Sequence, residues 1–402
     1  MLTIRKIRVP SEDWACARRA ADYVIDAKSS PAALPGAAEG PSAGPTTVWV
    51  GSEPMLSRLG VEPGEAVAAT GFGRVLQGRH ATSGERVRTE GMIHRPLTDE
   101  HGQPVLDERG RQQMVRVRGT KSVDLTFSAP KSVSVLWSQA EADLRAEIEA
   151  AMLLAAEAML REMTECKPVV AYQRALEPAT GFAAASALHV VARAARGETV
   201  PWPQLHVHAV VVGVGRSDGF FASPELSGMY KYGAPLAGGA VARARLAESL
   251  VELGFEIERQ GRYFELKGVP RRLVERMSGR AREVAAIVAA READRGRRLT
   301  DRERAVVAMQ TRQPKSGEAP LEQSIGTWAE TAAALGFDRA AAAGLRNGGG
   351  FHGSSGPRRV AVIAAIRSRA GKGLSPGERR ALAYECGAGL LRVEEIEAML
   401  AG

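Results

Sequence analysis

The chain has 402 residues, 45% of them hydrophobic, enough to bury a sizeable core in one large domain or two smaller ones. Its formal net charge of +8, carried mostly by arginine, favours a polyanionic partner, nucleic acid first, over an acidic small substrate. Cys16, Cys166 and Cys386 stand far apart without a CxxC, which argues against a disulfide framework or a cysteine zinc site. No apolar run approaches the ~20 residues of a membrane span, so a reducing, cytosolic setting is expected.

In chain order, Leu2 to Val9 reads as a strand and DWACARRAADYVIDA, with Tyr23, as a helix. SSPAALPGAAEGPSAGPTT is low in complexity, and its Pro, Gly and Ala content predicts a mobile loop over about 30–48. Phe72 to Gly119 is dominated by glycines, charges and turn signals such as DEHGQP, which predicts a hairpin-rich loop region. SVDLTFSAPKSVSVLW reads as a strand, with Val123, Leu125 and Phe127 on one face. Ser122, Asp124, Thr126 and Ser128 lie on the other, and Pro130 ends the ladder. A long helix is expected over about Glu141 to Thr164. Strands follow near Val169 to Arg174, Ala187 to Ala194 and His206 to Val214, and helices resume after Leu236.

The pair His206 and His208 in PQLHVHAVVVGV is the strongest chemical signal. Strand residues i and i+2 point the same way, so this spacing offers two imidazoles to one metal ion, with Leu205, Val207 and Ala209 turned to the core. His189, on the β-branched run SALHVVARAARG, could supply a third ligand across the turn GETVPWP. Imidazole ligation alone suits Zn²⁺, Mn²⁺, Ni²⁺ or Co²⁺ better than Mg²⁺. From Arg271 to Arg304 there are eleven arginines against six acidic residues on a helical pattern. That is either a solvated face or a nucleic-acid contact, and the overall basic charge favours contact, with Arg280, Arg282 and Arg291 as candidates. No GxxxxGK[ST] occurs, so no nucleotide-driven helicase domain is expected in this stretch.

Taken together, DLTFSAPKSVSVLW, the LHVV strand, PQLHVHAVV, the GRYFELKGVP hairpin and ERAVVAMQTRQPKSG resemble the relaxase domain of the MobF class of conjugative relaxases. The resemblance covers roughly 1–325 and is strongest over 120–312. It implies an α+β fold with a central antiparallel sheet, flanking helices, a basic helical extension over single-stranded DNA, and a helical tail over 326–402 after a Gly-rich linker near 347–356. It also implies metal ligation by His189, His206 and His208, with Mg²⁺ or Mn²⁺ in the cell, and nicking of one DNA strand at an origin of transfer through a 5′-phosphotyrosyl link. Tyr23 is the expected nucleophile. Many members carry clustered tyrosines there, whereas this chain has Val24 where a second often stands, so transfer by a neighbouring tyrosine is not implied. Asp124 is expected to accept a hydrogen bond from the far nitrogen of one histidine, or, as second choice, a proton from the tyrosine. Tyr230 and Tyr232 are expected to pack or to stack on bases. The partners implied are origin DNA and, on other chains, a helicase, an accessory DNA-binding protein and a coupling protein. Two alternatives remain: a sequence-specific single-stranded DNA-binding protein of this fold with little or no strand transfer, and an HxH hydrolase of a small phosphoester, against which the basic excess argues.

Overall fold

A seven-stranded antiparallel sheet organises the molecule, and each of its faces carries a different kind of cover. The computed structural model describes residues 2–26, 47–99, 103–166, 168–172, 175–230, 233–311, 319–347, 350–351, 354–371 and 373–401. The first half runs β1 (Leu2–Pro10), α1 (Trp14–Val24), β2 (Thr47–Gly51), α2 (Glu53–Ser57), α3 (Ala69–Leu76), β3 (Gly91–Pro96), β4 (Met114–Ser128), α4 (Lys131–Gln139) and α5 (Ala142–Thr164). It continues with β5 (Pro168–Tyr172), β6 (Ala175–Pro178), β7 (Phe182–Val191), β8 (Pro203–Gly215), β9 (Phe221–Ala222), α6 (Leu226–Tyr230), α7 (Ala234–Glu252), β10 (Ile257–Gln260) and β11 (Tyr263–Leu266). The rest is helical: α8 (Arg271–Arg276), α9 (Gly279–Arg295), α10 (Asp301–Gln310), α11 (Leu321–Ala334), α12 (Arg339–Gly344), α13 (Ser355–Arg369), α14 (Pro376–Gly387) and α15 (Val393–Ala401).

The sheet order is β1-β4-β8-β7-β2, with β3 on the first residues of β4 and β9 on the last of β8. Because side chains alternate, β4 turns Val123, Leu125 and Phe127 backward, and β8 turns Leu205, Val207, Ala209 and Val211 the same way, all fully buried under α4, α5 and α7. The front face divides along its length. At one end Val210, Val212, Ala183 and Ala185 are covered by α1, α2 and α3 through Ala21, Leu56, Phe72 and Leu76, with Trp49 of β2 in the same cluster. At the other end the same face carries Asp124, Thr126 and the three histidines, and no helix of that layer covers it.

Three segments differ from the reading of the sequence. KSVSVLW beyond Pro130 is helix α4, not strand: Pro130 occupies its N-cap position, and every residue from Ser132 to Gln139 is buried. With all sides enclosed the helix has no polar face to reveal its period, and its serines satisfy neighbouring backbone instead. The Ser132 hydroxyl accepts from Leu266 N–H at 2.8 Å and that of Ser134 from Leu205 N–H at 2.9 Å. Strand β7 starts at Phe182, five residues before the expected Ala187, because an alanine run with weak strand propensity fits the tightly covered centre of the sheet. The loop region expected from Phe72 takes in the end of α3 and strand β3, and β4 already begins at Met114.

The helices after residue 320 share the main core: Trp328, Phe337, Ala342, Tyr384 and Ile396 are buried with the residues of α4, α5 and α7. Arg380 reaches Glu162 of α5 at 2.7 Å, and Trp328 Nε1 donates to Pro201 O at 2.9 Å. A boundary near 325 therefore coincides with no break in this core. Most of the low-complexity loop, Tyr232 and the RQPKSG end of the last motif lie outside the described residues.

Candidate metal centre and nucleophile

Strand register brings the three histidines together. In the β7–β8 pair His189 stands directly opposite His206, and His208 is the next front-facing residue of β8. Their ring centroids are 4.9 to 5.3 Å apart, and one potential ligand atom from each lies within 4.8 Å of the others. His189 and His208 are buried and His206 is half-buried.

Each ring has an orienting partner. Thr126 of β4 faces His208 across the ladder, and Asp124, two residues along on the same face, receives the His208 Nδ1–H at 2.9 and 3.1 Å. A carboxylate only accepts, so this contact sets the His208 tautomer and leaves Nε2 as the nitrogen that can ligate. Thr126 Oγ1 donates to Asp124 at 3.2 Å. His206 Nδ1 lies 2.9 Å from the carbonyl of Gln204, and His189 Nε2 lies 2.8 Å from the carbonyl of Val24, the residue after Tyr23. The last contact joins the cluster to the end of helix α1. Three imidazoles with oriented rings and open space beside them fit a divalent ion.

Helix α1 is capped by Asp13, whose side chain accepts from Cys16 N–H, and it packs Ala17, Ala21 and Val24 onto the front core. That packing delivers Tyr23 to the open end of the face. Its ring meets His208 edge-on at a centroid distance of 5.5 Å, and the Arg5 guanidinium lies over the ring, 5.1 Å from its centroid. Tyr23, Asp124 and the three histidines line a single cavity of about 1050 Å³.

The roof of this cavity is α9. The helix starts against Trp202, where a side chain at Gly279 would meet Glu198 Oε2 at 2.6 Å and the indole at 3.1 Å, so a larger residue would have to push the carboxylate and the indole aside. Ala281, Val284, Ala285, Val288 and Ala289 line the cavity, a spacing that forms one helical face. Of the three candidate arginines only Arg280 lines it, and its guanidinium donates to the carbonyls of Ala308 and Thr311 at 2.6 Å each, closing the end of α10. Arg282 holds the carbonyls of Glu275 and Arg276 at the end of α8, and Arg291 donates to Gln310 Oε1 at 3.1 Å. Tyr230 is exposed, with its hydroxyl donating to Ile4 O at 3.3 Å.

The sequence reading missed several residues of the cavity wall. Arg5, Lys131, Arg193, Arg243 and Arg304 join Arg280 there, against Asp124, Glu265 and Glu292. Burial pushes the Lys131 ammonium down to about 7, nearby Arg282 adding to the effect and Glu265 opposing it. Arg5 stands in the strand read over Leu2 to Val9 and Lys131 follows Pro130 in SVDLTFSAPKSVSVLW, but nothing in their spacing tells which face of the fold they reach.

The TrwC relaxase family model matches residues 34–335. The multifunctional conjugation protein TraI of Escherichia coli (strain K12) is 32% identical over 145 residues, which are 34% of this chain and 8% of that much longer protein. Conjugative relaxase TrwC in complex with oriT DNA, in its metal-bound structure, aligns with a TM-score of 0.57 at 24% identity over 84% of this chain and 100% of that one. The same relaxase with a 27-mer DNA comprising the recognition hairpin and the cleavage site gives 0.56 at 22% over the same shares. The structural likeness carries the fold, and with three quarters of the sequence inside the family match, this chain belongs to the TrwC relaxase family.

Proposed function

We propose that the protein is a metal-dependent, strand- and site-specific DNA nicking and religating transesterase, a relaxase acting at an origin of transfer in conjugation, in the cytoplasm. The observation that carries this reading is the placement of a tyrosine, on helix α1, against a three-histidine cluster inside one basic cavity. His189, His206 and His208 would hold the metal, Mg²⁺ or Mn²⁺ in the cell. When bound, a divalent ion there supplies a Lewis acid that polarises the scissile phosphate and offsets charge on its oxygens.

The protein's own residues do the rest. Tyr23 Oη attacks phosphorus, the Oη–P bond forms, the bond to the 3′ oxygen breaks, and the 3′ oxygen takes up a proton while the phenol gives one up. The 5′-phosphotyrosyl link stores the bond, so the same site can religate the strand. Asp124 acts through His208: it fixes the ring's tautomer and raises the basicity of Nε2. The cationic wall attracts the strand, and the Ala and Val face of α9 gives its bases an apolar surface opposite the phosphates. Contacts of Arg280, Arg282 and Arg291 with phosphates belong to this proposal, as does strand capture as single-stranded DNA.

The test is incubation with labelled single-stranded DNA from the cognate origin and Mn²⁺. A denaturation-resistant protein–DNA adduct is expected. Tight, salt-sensitive binding with no adduct under any divalent ion would leave the non-transferring DNA-binding alternative standing.

A further inference from the structure

Arg5 has an opposite charge facing it across the ladder and does not pair with it. In the β1–β4 register Arg5 stands directly opposite Asp124, and residues so placed project from the same face of the sheet. Asp124 nevertheless spends its oxygens on His208 Nδ1 and Thr126 Oγ1. The Arg5 guanidinium is turned to the Tyr23 ring instead, 5.1 Å from its centroid, and no hydrogen bond or ion pair joins it to any of the described residues. It lines the cavity, and the residue is exposed. Along β1 the front-facing residues run Thr3, Arg5, Ile7 and Val9, so Arg5 is the last before that strand passes under the α1 and α3 cover.

Resting on the relaxase reading, we propose that Arg5 is a further catalytic residue: its N–H groups bind a non-bridging oxygen of the scissile phosphate on the tyrosine side. A planar, permanently charged fork stacked beside the phenol matches a phosphate that is about to join the phenolic oxygen. As the Oη–P bond forms and the P–O3′ bond breaks, negative charge gathers on the non-bridging oxygens, and a donor already aimed there holds the transition state more tightly than the bound strand. The guanidinium gains and loses no proton. The same contact would hold the phosphotyrosyl phosphate until religation.

The decisive measurement is a binding cycle in the Tyr23→Phe background, which cannot cleave. Oligonucleotides carrying a natural or a neutral methylphosphonate scissile linkage are titrated against Tyr23→Phe and Tyr23→Phe/Arg5→Gln. In EDTA, so that no bound ion contacts the linkage, the neutral linkage should weaken binding about 10-fold with Arg5 present, and with Arg5→Gln the two oligonucleotides should bind within about 2-fold, since a charged hydrogen bond to phosphate is worth roughly that much. An equal penalty with and without Arg5 would overturn the proposal. In the protein with Tyr23 intact, Arg5→Gln and Arg5→Ala should slow single-turnover cleavage by about 100-fold, the loss typical of one removed donor, with Arg5→Lys in between. Unchanged cleavage would equally overturn it. Absence of any adduct from the unsubstituted protein would count against the relaxase reading, while the binding cycle still decides the Arg5 contact.

Discussion

Floor and roof of the cavity are built on opposite principles. The floor is strand: His189, His206, His208 and Asp124 stand on β4, β7 and β8, the three central strands, with Leu125, Leu188 and Val207 fully buried behind them. The roof is a helix of which only Gly279 is buried, held at its start by arginines on carbonyls and, toward its other end, by exposed ion pairs such as Arg295–Glu303 at 2.8 Å and Arg304–Glu292 at 3.0 Å. Exposed pairs of this kind contribute little stability. On the proposed function, the groups that position a phosphate therefore sit on the most deeply buried part of the molecule. On the same reading, the wall that would admit a strand of DNA belongs to the part with least burial, where opening is cheapest.

The largest effect should come from the proposed nucleophile, Tyr23, which α1 brings to the edge of the floor. Tyr23→Phe keeps the ring against His208 and removes only the hydroxyl. Cleavage should fall by on the order of 10⁴-fold or more while DNA binding persists. Normal cleavage by this variant would move the chemistry to water and break the assignment.

Next come the ligands. Single alanine substitutions of His189, His206 and His208 should each weaken metal binding, read by titration calorimetry, by more than the ~10-fold of a lost outer partner. The fold should survive, because each ring projects toward the cavity. Asp124→Asn should cost about 10-fold. Full metal retention in a His206→Ala/His208→Ala double variant would show that the floor is not a metal site.

The roof should respond differently. Replacing Arg280, Arg282 and Arg291 together is expected to make the salt dependence of single-stranded DNA affinity shallower, by about 0.7 in slope for each phosphate that is no longer neutralised. Matched and unmatched oligonucleotides should lose affinity about equally. The carbonyls that Arg280 and Arg282 hold would lose their donors, so the triple variant should also be destabilised by roughly 1–3 kcal/mol, mostly in α8 to α10 and visible in hydrogen exchange. A stability loss with an unchanged salt slope would make these arginines braces of the roof and not contacts to DNA.

The most local effect concerns one cavity-wall residue, Lys131. Folding holds Lys131 near 7 against an ordinary 10.5, so between those values the unfolded chain binds a proton that the folded one has released. Stability should therefore rise with pH in that window, by up to about 1.4 kcal/mol per pH unit. Lys131→Met should flatten that slope in denaturant titrations at pH 7, 8 and 9. Equal slopes would mean that the ammonium stays charged in the folded protein.

Much of the site was legible because it depends on short-range geometry. An HxH on a β-branched run fixes two imidazoles on one face whatever the fold around it, and the alternation of SVDLTFS places Asp124 opposite its buried neighbours. Helix α4 and the start of β7 were not legible: periodicity reports a contrast between wet and dry faces, and Ser132 to Gln139 and Phe182 to Val190 are dry all round. The arginines show the same limit from the other side. A cluster of eleven announces charge, but which of them face DNA, brace a carbonyl or pair with glutamate depends on the rotation of α9 over the sheet.

The sequence alone determined the strand faces, the paired histidines, the basic character and the family. Only tertiary structure decided that β7 pairs with β8 so that His189 meets His206. It also decided that α1 returns Tyr23 to His208, far along the chain, that Arg5 stands opposite Asp124 yet turns to the tyrosine, and that the last helices close the same core. The physical reason is range. Local pattern fixes where a side chain points along its own element, whereas register, helix rotation and long-range docking are set by burying apolar surface between elements distant in sequence.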